Sequence, residues 1–332
     1  MGCRLTILFG LILATVSLTA QEATPEAARE ASREAAPDSL SPIRKFPNAL
    51  TLRTGLSHIG NSFIFNYLDE GIELSLDPIR SNRLTTSLQF RALELDLGFS
   101  PGFLNPDEDL EGSRLFSMSF RFYSGRWMQA FTYLDQKGFK ADIGGAPLYF
   151  REIATRKIGG TTSFVFNPDF SFRAVHSQNE WQLRSAGSFV PRLIAYYTRY
   201  EVEGDAGNET AHSYDVALGP GYHYNWVLAR HWLLSGGVTT ALGINWLEDE
   251  GSTRSYWLWD TELRGAFGYN SDRFFAGVNL TRNFLEHSAE GRTRIDDRLF
   301  FLEFYAGYRF KAPESWVRTA DKFNRTFGLD ER

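Results

Sequence analysis

The sequence predicts an all-β fold: a closed antiparallel transmembrane β-barrel of about twelve strands, within bounds of ten to fourteen. Three observations carry this reading. From about residue 49 to residue 310 apolar and polar residues alternate with period two; the alternating segments reach ten residues or more; and aromatic residues gather near their ends. Strands of soluble sheets average ~5–6 residues, whereas a tilted strand crossing a bilayer needs ~9–11.

The alternation is clearest in the second half of the chain. Tyr214, Val216, Leu218, Tyr222, Tyr224 and Trp226 share one phase, and Ser213, Asp215, Ala217, His223 and Asn225 the other. Trp232, Leu234, Val238, Leu242, Ile244 and Trp246 then oppose Ser235, Thr239 and Asn245, and Trp257, Trp259, Leu263 and Phe267 oppose Asp260, Glu262 and Arg264. Phe300, Leu302, Phe304, Tyr308 and Phe310 oppose Glu303, Tyr305 and Arg309 in the last strand. Earlier, Leu84, Leu88 and Phe90 oppose Thr85, Ser87 and Gln89; Leu93, Leu95, Leu97 and Phe99 oppose Glu94 and Asp96; and Phe116, Met118, Phe120 and Phe122 oppose Ser117 and Arg121. Because successive side chains of a strand point to opposite sides, the apolar set is expected to meet hydrocarbon and the polar set the barrel centre. Trp232, Phe267 and Phe304 therefore face lipid in this reading, while Asp260 and Glu303 face inward. Residues 126–134 and 188–202 resolve no face, and 170–203 give no even number of crossings.

Short connections at Arg91, Ser124-Gly125, Asn167 to Asp169, Leu228 to Arg230 and Ser271-Asp272 alternate with longer polar ones near 100–113, 135–157, 203–212, 247–254 and 286–296. That is the short-turn, long-loop rhythm of an outer-membrane barrel. Arg4 precedes an apolar run from Leu5 to about Val16, and Ser17-Leu18-Thr19-Ala20 closes it, as in a secretory signal peptide cut after Ala20. The one cysteine, Cys3, would leave with that signal. No later stretch is long and apolar enough for a spanning helix, and the mean hydropathy is −0.29.

Residues 21–48 are rich in Glu, Ala and Arg, with Glu22, Glu26, Glu30 and Glu34 four apart, and are expected to form a flexible periplasmic leader. Residues 49–310 make the barrel. After Phe310, a tail from 311 to 332 places Trp316, Ala320, Phe323 and Phe327 at helical spacing, suited to an amphipathic helix on the inner leaflet or inside the barrel, with a frayed tail as the other reading.

The stretch from Arg83 to Glu203 and the segment Gly219 to Gly243 carry Gly102-Phe103-Leu104-Asn105-Pro106-Asp107, Phe170-Ser171-Phe172-Arg173-Ala174, Gln178, Trp181-Gln182, Ser185-Ala186-Gly187-Ser188-Phe189, Gly219-Pro220 and Gly221-Tyr222. In these the chain resembles an uncharacterised bacterial family of outer-membrane barrels, known only as a domain of unknown function. The resemblance implies the barrel and brings no activity, ligand or catalytic residue.

The formal net charge of −5 offers nothing to nucleic acid. Asp107, Asp109 and Glu111 before Gly112 resemble half a calcium loop, but Met118 stands where the bidentate carboxylate belongs, so a solvated acidic loop is expected. His58, His176, His212, His223, His231 and His287 show no metal-binding spacing. His223 lies in an inward phase with no serine evident beside it in register, so it reads as pore lining and not as a catalytic base. The candidate lumen-lining set is Glu94, Asp96, Arg121, Asp215, His223, Asp260, Glu262, Arg264, Glu303 and Arg309; no catalytic, cofactor or metal site is expected. Mixed signs favour a filled or narrow interior over a wide channel. Residues 178–188 break the period; an ordinary loop is expected there, with an inward constriction as the alternative. The expected partners are outer-membrane lipid, the barrel-assembly machinery and small solutes. Three functions stay open: a passive pore, a filled structural or adhesive barrel acting through its outer loops, and an outer-membrane hydrolase.

Overall fold

A computed structural model describes residues 41–67, 72–106, 110–143, 146–176, 178–204, 207–249, 251–287 and 293–327. The expected signal peptide, most of the leader, and Asp107 and Asp109 lie outside the described residues. The strands are β1 (Ile43–Lys45), β2 (Ala49–Tyr67), β3 (Ile72–Pro78), β4 (Asn82–Phe90), β5 (Leu93–Phe99), β6 (Arg114–Ser124), β7 (Trp127–Ile143), β8 (Ala146–Phe164), β9 (Glu180–Gln182), β10 (Ala186–Phe189), β11 (Arg192–Gly204), β12 (Gly207–Gly219), β13 (Gly221–Ala229), β14 (Trp232–Asp249), β15 (Ser252–Asn270), β16 (Phe274–His287) and β17 (Thr293–Lys311). One helix, α1 (Glu314–Phe327), follows.

Every pairing is antiparallel, and β17 pairs with β2 from Thr293↔Tyr67 to Lys311↔Ala49, which closes the sheet into a ring. The described strands make twelve crossings, because three of them are each interrupted once. β10 and β11 keep one register against β13 and β12 across Val190-Pro191, and Pro220 interrupts the facing crossing. Proline has no N–H for the ladder, so these breaks fall where the sequence puts them. The third break separates β3 from β4 at residues 79–81, where Ile79 is fully buried. A closed ring leaves no strand edge, the condition a sheet must meet to sit in hydrocarbon.

The two faces separate as the alternation requires. Trp232, Phe267 and Phe304 are 43%, 41% and 61% exposed on the outside, whereas Asp260 and Glu303 are 1% and 2% exposed inside. Trp127 and Phe164 pack edge-on at one rim, and Trp246 and Trp257 stand exposed toward the other. An apolar belt between two aromatic girdles around a polar interior is a bilayer-spanning surface, and the protein is an outer-membrane barrel. The tight turns after β4, β6, β13 and β15, together with Ala49 and Lys311, lie at one end. By the short-turn rule that end is periplasmic.

Two sequence expectations need correction. The polar stretches at 135–157, 203–212, 247–254 and 286–296 are largely not loops: β7 and β8, β11 and β12, and β14 and β15 run on through the first three as paired hairpins, and in the fourth Glu286 and His287 pair with β15 while residues 293–296 pair with β2. Beyond the bilayer the outward face of a strand meets water and turns polar, so the period-two signal fades while backbone pairing continues. Residues 126–134 resolved no face because both are apolar: Trp127 and Phe131 point out while Met128 and Leu134 pack inside. The leader reading also fails for its last residues, since Ile43–Lys45 pairs with Glu180–Gln182.

Candidate functional site

The segment from residue 165 to 185, where the count of crossings failed, does not leave the barrel as a loop. It folds into the periplasmic end of the lumen and plugs it. Phe170 and Phe172 pack there with Tyr123, Met128, Ala186 and Val190, and Ser171, Gln178, Asn179, Glu180, Trp181 and Gln182 are all buried. β1 and β9 form a two-stranded sheet within this plug, and Leu183 N–H donates to Pro42 O at 2.8 Å.

The wall holds the plug largely by its backbone carbonyls. Arg53 Nη1 donates to His176 O at 2.8 Å, Arg309 Nε to Gln178 O at 2.6 Å, and Asn225 Nδ2 to Ser171 O at 2.9 Å. Gln178 Nε2 donates to the Tyr305 hydroxyl at 3.1 Å. Trp181 Nε1 reaches Arg230 O at 3.1 Å in the β13–β14 turn. Of the described residues, the two non-glycines with left-handed backbone, Arg91 at φ 55° and Gln178 at φ 59°, both lie at this contact. Such conformations cost about 1–3 kcal/mol and persist where surroundings fix them. The Arg91 carbonyl accepts from Arg173 and, at 3.0 Å, from Asn179 Nδ2.

Above the plug is a cavity of about 270 Å³ lined by six cationic and six anionic side chains. They form two interleaved groups. In the first, Arg53 Nη2 donates to Asp96 Oδ2 and Ser87 Oγ, both at 2.8 Å, and lies 3.9 Å from Glu94, while Nη1 lies 3.7 Å from Glu303. Arg121 donates to Glu94 at 2.9 Å, Thr85 to Glu303 at 2.8 Å, and Arg83 to Ser57 at 2.8 Å. In the second, Arg192 donates to Glu262 at 2.6 Å and lies 3.4 Å from Asp260, Arg264 Nη2 donates to Glu262 at 3.1 Å, and Lys157 pairs with Asp297 at 3.0 Å. Asn245 donates to Asp215 at 2.6 Å. His176 joins plug to wall through Arg264 Nη1 at 3.1 Å from its Nε2. Burial, and next the Arg264 guanidinium, hold this imidazole well below its ordinary range, so it is neutral. Paired opposite charges cancel at distance, and the lumen has no one-sign field.

All ten residues of the candidate set turn inward. Nine join these networks or grip the plug, but His223 sits deeper, edge-on to Phe172 with its ring centroid at 4.7 Å and Nε2 3.4 Å from Thr239 Oγ1. The expectation that no serine neighbours it is wrong, since Ser188 is its register partner across β10 and β13. Sequence could not pair the two because the plug precedes β10. Ser188 Oγ nevertheless donates to Phe189 O at 2.8 Å and accepts from Asn167 N–H at 3.0 Å, which leaves it engaged with backbone. Sequence reading missed Arg53, Arg83, Lys157, Arg192 and Asp297. Arg53 shares its phase with Thr51 and Ser57, and Lys157 with Thr155 and Thr161, a signal that was present in the alternation. Of the acidic loop, Glu111 is exposed, and among the described residues no group of three His, Cys, Asp or Glu side chains is arranged to hold a metal ion.

The family model described as Domain of unknown function (DUF4421) matches residues 37–310, and the chain belongs to that family. No curated protein matches it in sequence. Among solved structures, the outer membrane protease OmpT from Escherichia coli is similar at 9% identity and TM-score 0.31, covering 80% of this chain and 98% of that one. An outer membrane channel from Pseudomonas putida F1 is similar at 11% identity and TM-score 0.38, covering 80% and 96%. The P. putida toluene transporter TodX is similar at 7% identity and TM-score 0.26, covering 80% and 90%.

Proposed function

We propose that this barrel is a gated pore for small polar solutes, its periplasmic mouth held shut by the 165–185 plug. The observation that carries the reading is the charged cavity standing directly on the plug. Twelve ionic side chains turned toward one space are costly to desolvate, and an apolar filling would serve a purely structural barrel at less cost. Balanced signs suit neutral or zwitterionic solutes over ions of one sign. The side-chain hydrogen bonds from wall to plug are polar and water can replace them, while the apolar cluster of Phe170 and Phe172 with Tyr123, Met128, Ala186 and Val190 keeps the closed state favoured.

One observation favours a second reading, a filled structural barrel acting through its outer hairpins. At the extracellular end Phe63, Leu76, Phe139 and Ala141 pack together on the inner side of the neighbouring strands β2, β3 and β7, and Phe63 reaches Tyr200 of β11 with ring centroids 5.6 Å apart. Single-channel recording of the refolded protein separates the two. The pore reading expects rare, discrete current steps from the wild type and frequent ones when residues 166–184 are replaced by a short Gly/Ser linker. A linker variant that folds, shows heat-modifiable gel migration and still passes no current overturns the pore in favour of the filled barrel.

A further inference from the structure

The tail helix carries a feature that the pore reading does not use. α1 lies against the outer wall at the periplasmic rim, where Asp321 pairs with Arg91 at 2.6 Å and Trp316 packs edge-on to Phe90 with ring centroids 5.9 Å apart. Ala312 N–H donates to Asn48 O at 3.0 Å and fixes where the helix leaves the last strand. Helix and wall do not close on each other. Between them runs a groove of about 1230 Å³, with Leu93, Trp127 and Phe164 on the barrel side and Trp316, Ala320 and Phe323 on the helix side. Ordinary small-molecule sites hold roughly 300–1,000 Å³.

Two facts identify the occupant. Leu93 and Trp127 belong to the exposed apolar belt, at 48% and 50%, so the groove opens onto the region that acyl chains fill. At its mouth Arg126, in the β6–β7 turn, lies 4.6 Å over the Phe164 ring and spends one donor on Phe166 O at 3.2 Å. Its guanidinium pairs with no carboxylate among the described residues. An arginine with donors to spare at the membrane surface, beside an apolar slot, complements a phosphodiester on a hydrocarbon chain.

We propose that this groove is a binding site for one glycerophospholipid of the periplasmic leaflet, with an acyl chain between wall and helix and the phosphate on Arg126. The site is independent of whether the lumen conducts. Native mass spectrometry of the full chain, with phosphatidylglycerol added to the detergent, tests it. The wild type should keep one phospholipid at collision energies that strip the rest. Ala320→Trp, which fills the slot, should lower that one-lipid population at least tenfold, and Arg126→Gln should lower it several-fold. Equal retention by wild type and both variants would mean annular lipid only and overturn the site. Should Ala320→Trp not refold, unchanged retention by Arg126→Gln alone overturns the assignment of the phosphate, and with it the proposal.

Discussion

Replacing Arg53 by Met tests whether the wall and the plug share one electrostatic network. This guanidinium is buried and lies within 4 Å of three carboxylates, those of Asp96, Glu303 and Glu94, and it also donates to the plug at His176 O. Methionine keeps much of the volume and none of the donors. Removing one partner of a buried ion pair costs about 3–5 kcal/mol, because the remaining charge is left without compensation. The plug itself loses one hydrogen bond from a charged donor, worth about 1.5–3 kcal/mol. At about 1.4 kcal/mol per decade, its released population should rise roughly 10- to 100-fold. Urea titration of the barrel folded in lipid, read by tryptophan fluorescence and gel migration, measures the first quantity, and open probability in single-channel recordings measures the second. Arg53→Lys keeps the charge but lacks the planar fork that serves Ser87, Asp96 and His176 O together, so it should regain part of the stability and little of the closure. A stability loss below about 1 kcal/mol for Arg53→Met, the range of exposed pairs, would show that water already solvates these carboxylates and would refute the network.

Two further outcomes follow from the geometry. Val238, 45% exposed and midway between Trp232 and Trp246 on β14, faces the bilayer centre; Val238→Arg should cost about 2–4 kcal/mol, while Ser255→Arg, beyond Trp257, should cost about 0–1, both read by the same titration. Equal costs at the two positions would remove the lipid-facing assignment of the belt. For His176 the folded-state pKa is depressed, by burial first and then by Arg264, Arg121 and Arg53. Its neutral form is thus favoured by folding, and below about pH 6.5 the unfolded chain takes up a proton that the folded one does not. Stability should fall with pH in that window by up to about 1.4 kcal/mol per unit from this group, and His176→Gln should show a correspondingly shallower slope between pH 6.5 and 5. Identical slopes would place His176 in water and not buried between plug and wall.

Alternation along the chain was enough to predict the barrel, the inward and outward faces of most of its strands and about twelve crossings within ten to fourteen, because these depend on local periodicity and strand length. The Trp232, Phe267 and Phe304 face and the Asp260 and Glu303 face follow from a period of two and nothing else. Residues 165–185 were opaque for the converse reason. Inside a lumen a segment meets both polar and apolar wall, so it has no preferred phase, and Phe172 and Gln178 are both buried without a periodic signature. Only the tertiary structure decided that this segment turns inward, that Ile43–Lys45 joins it, that Ser188 stands opposite His223, and that Arg53 holds the plug 123 residues away. Those pairings are set by ring closure and the stagger of the strands, which bring together residues far apart in sequence, and no local pattern encodes which of them meet.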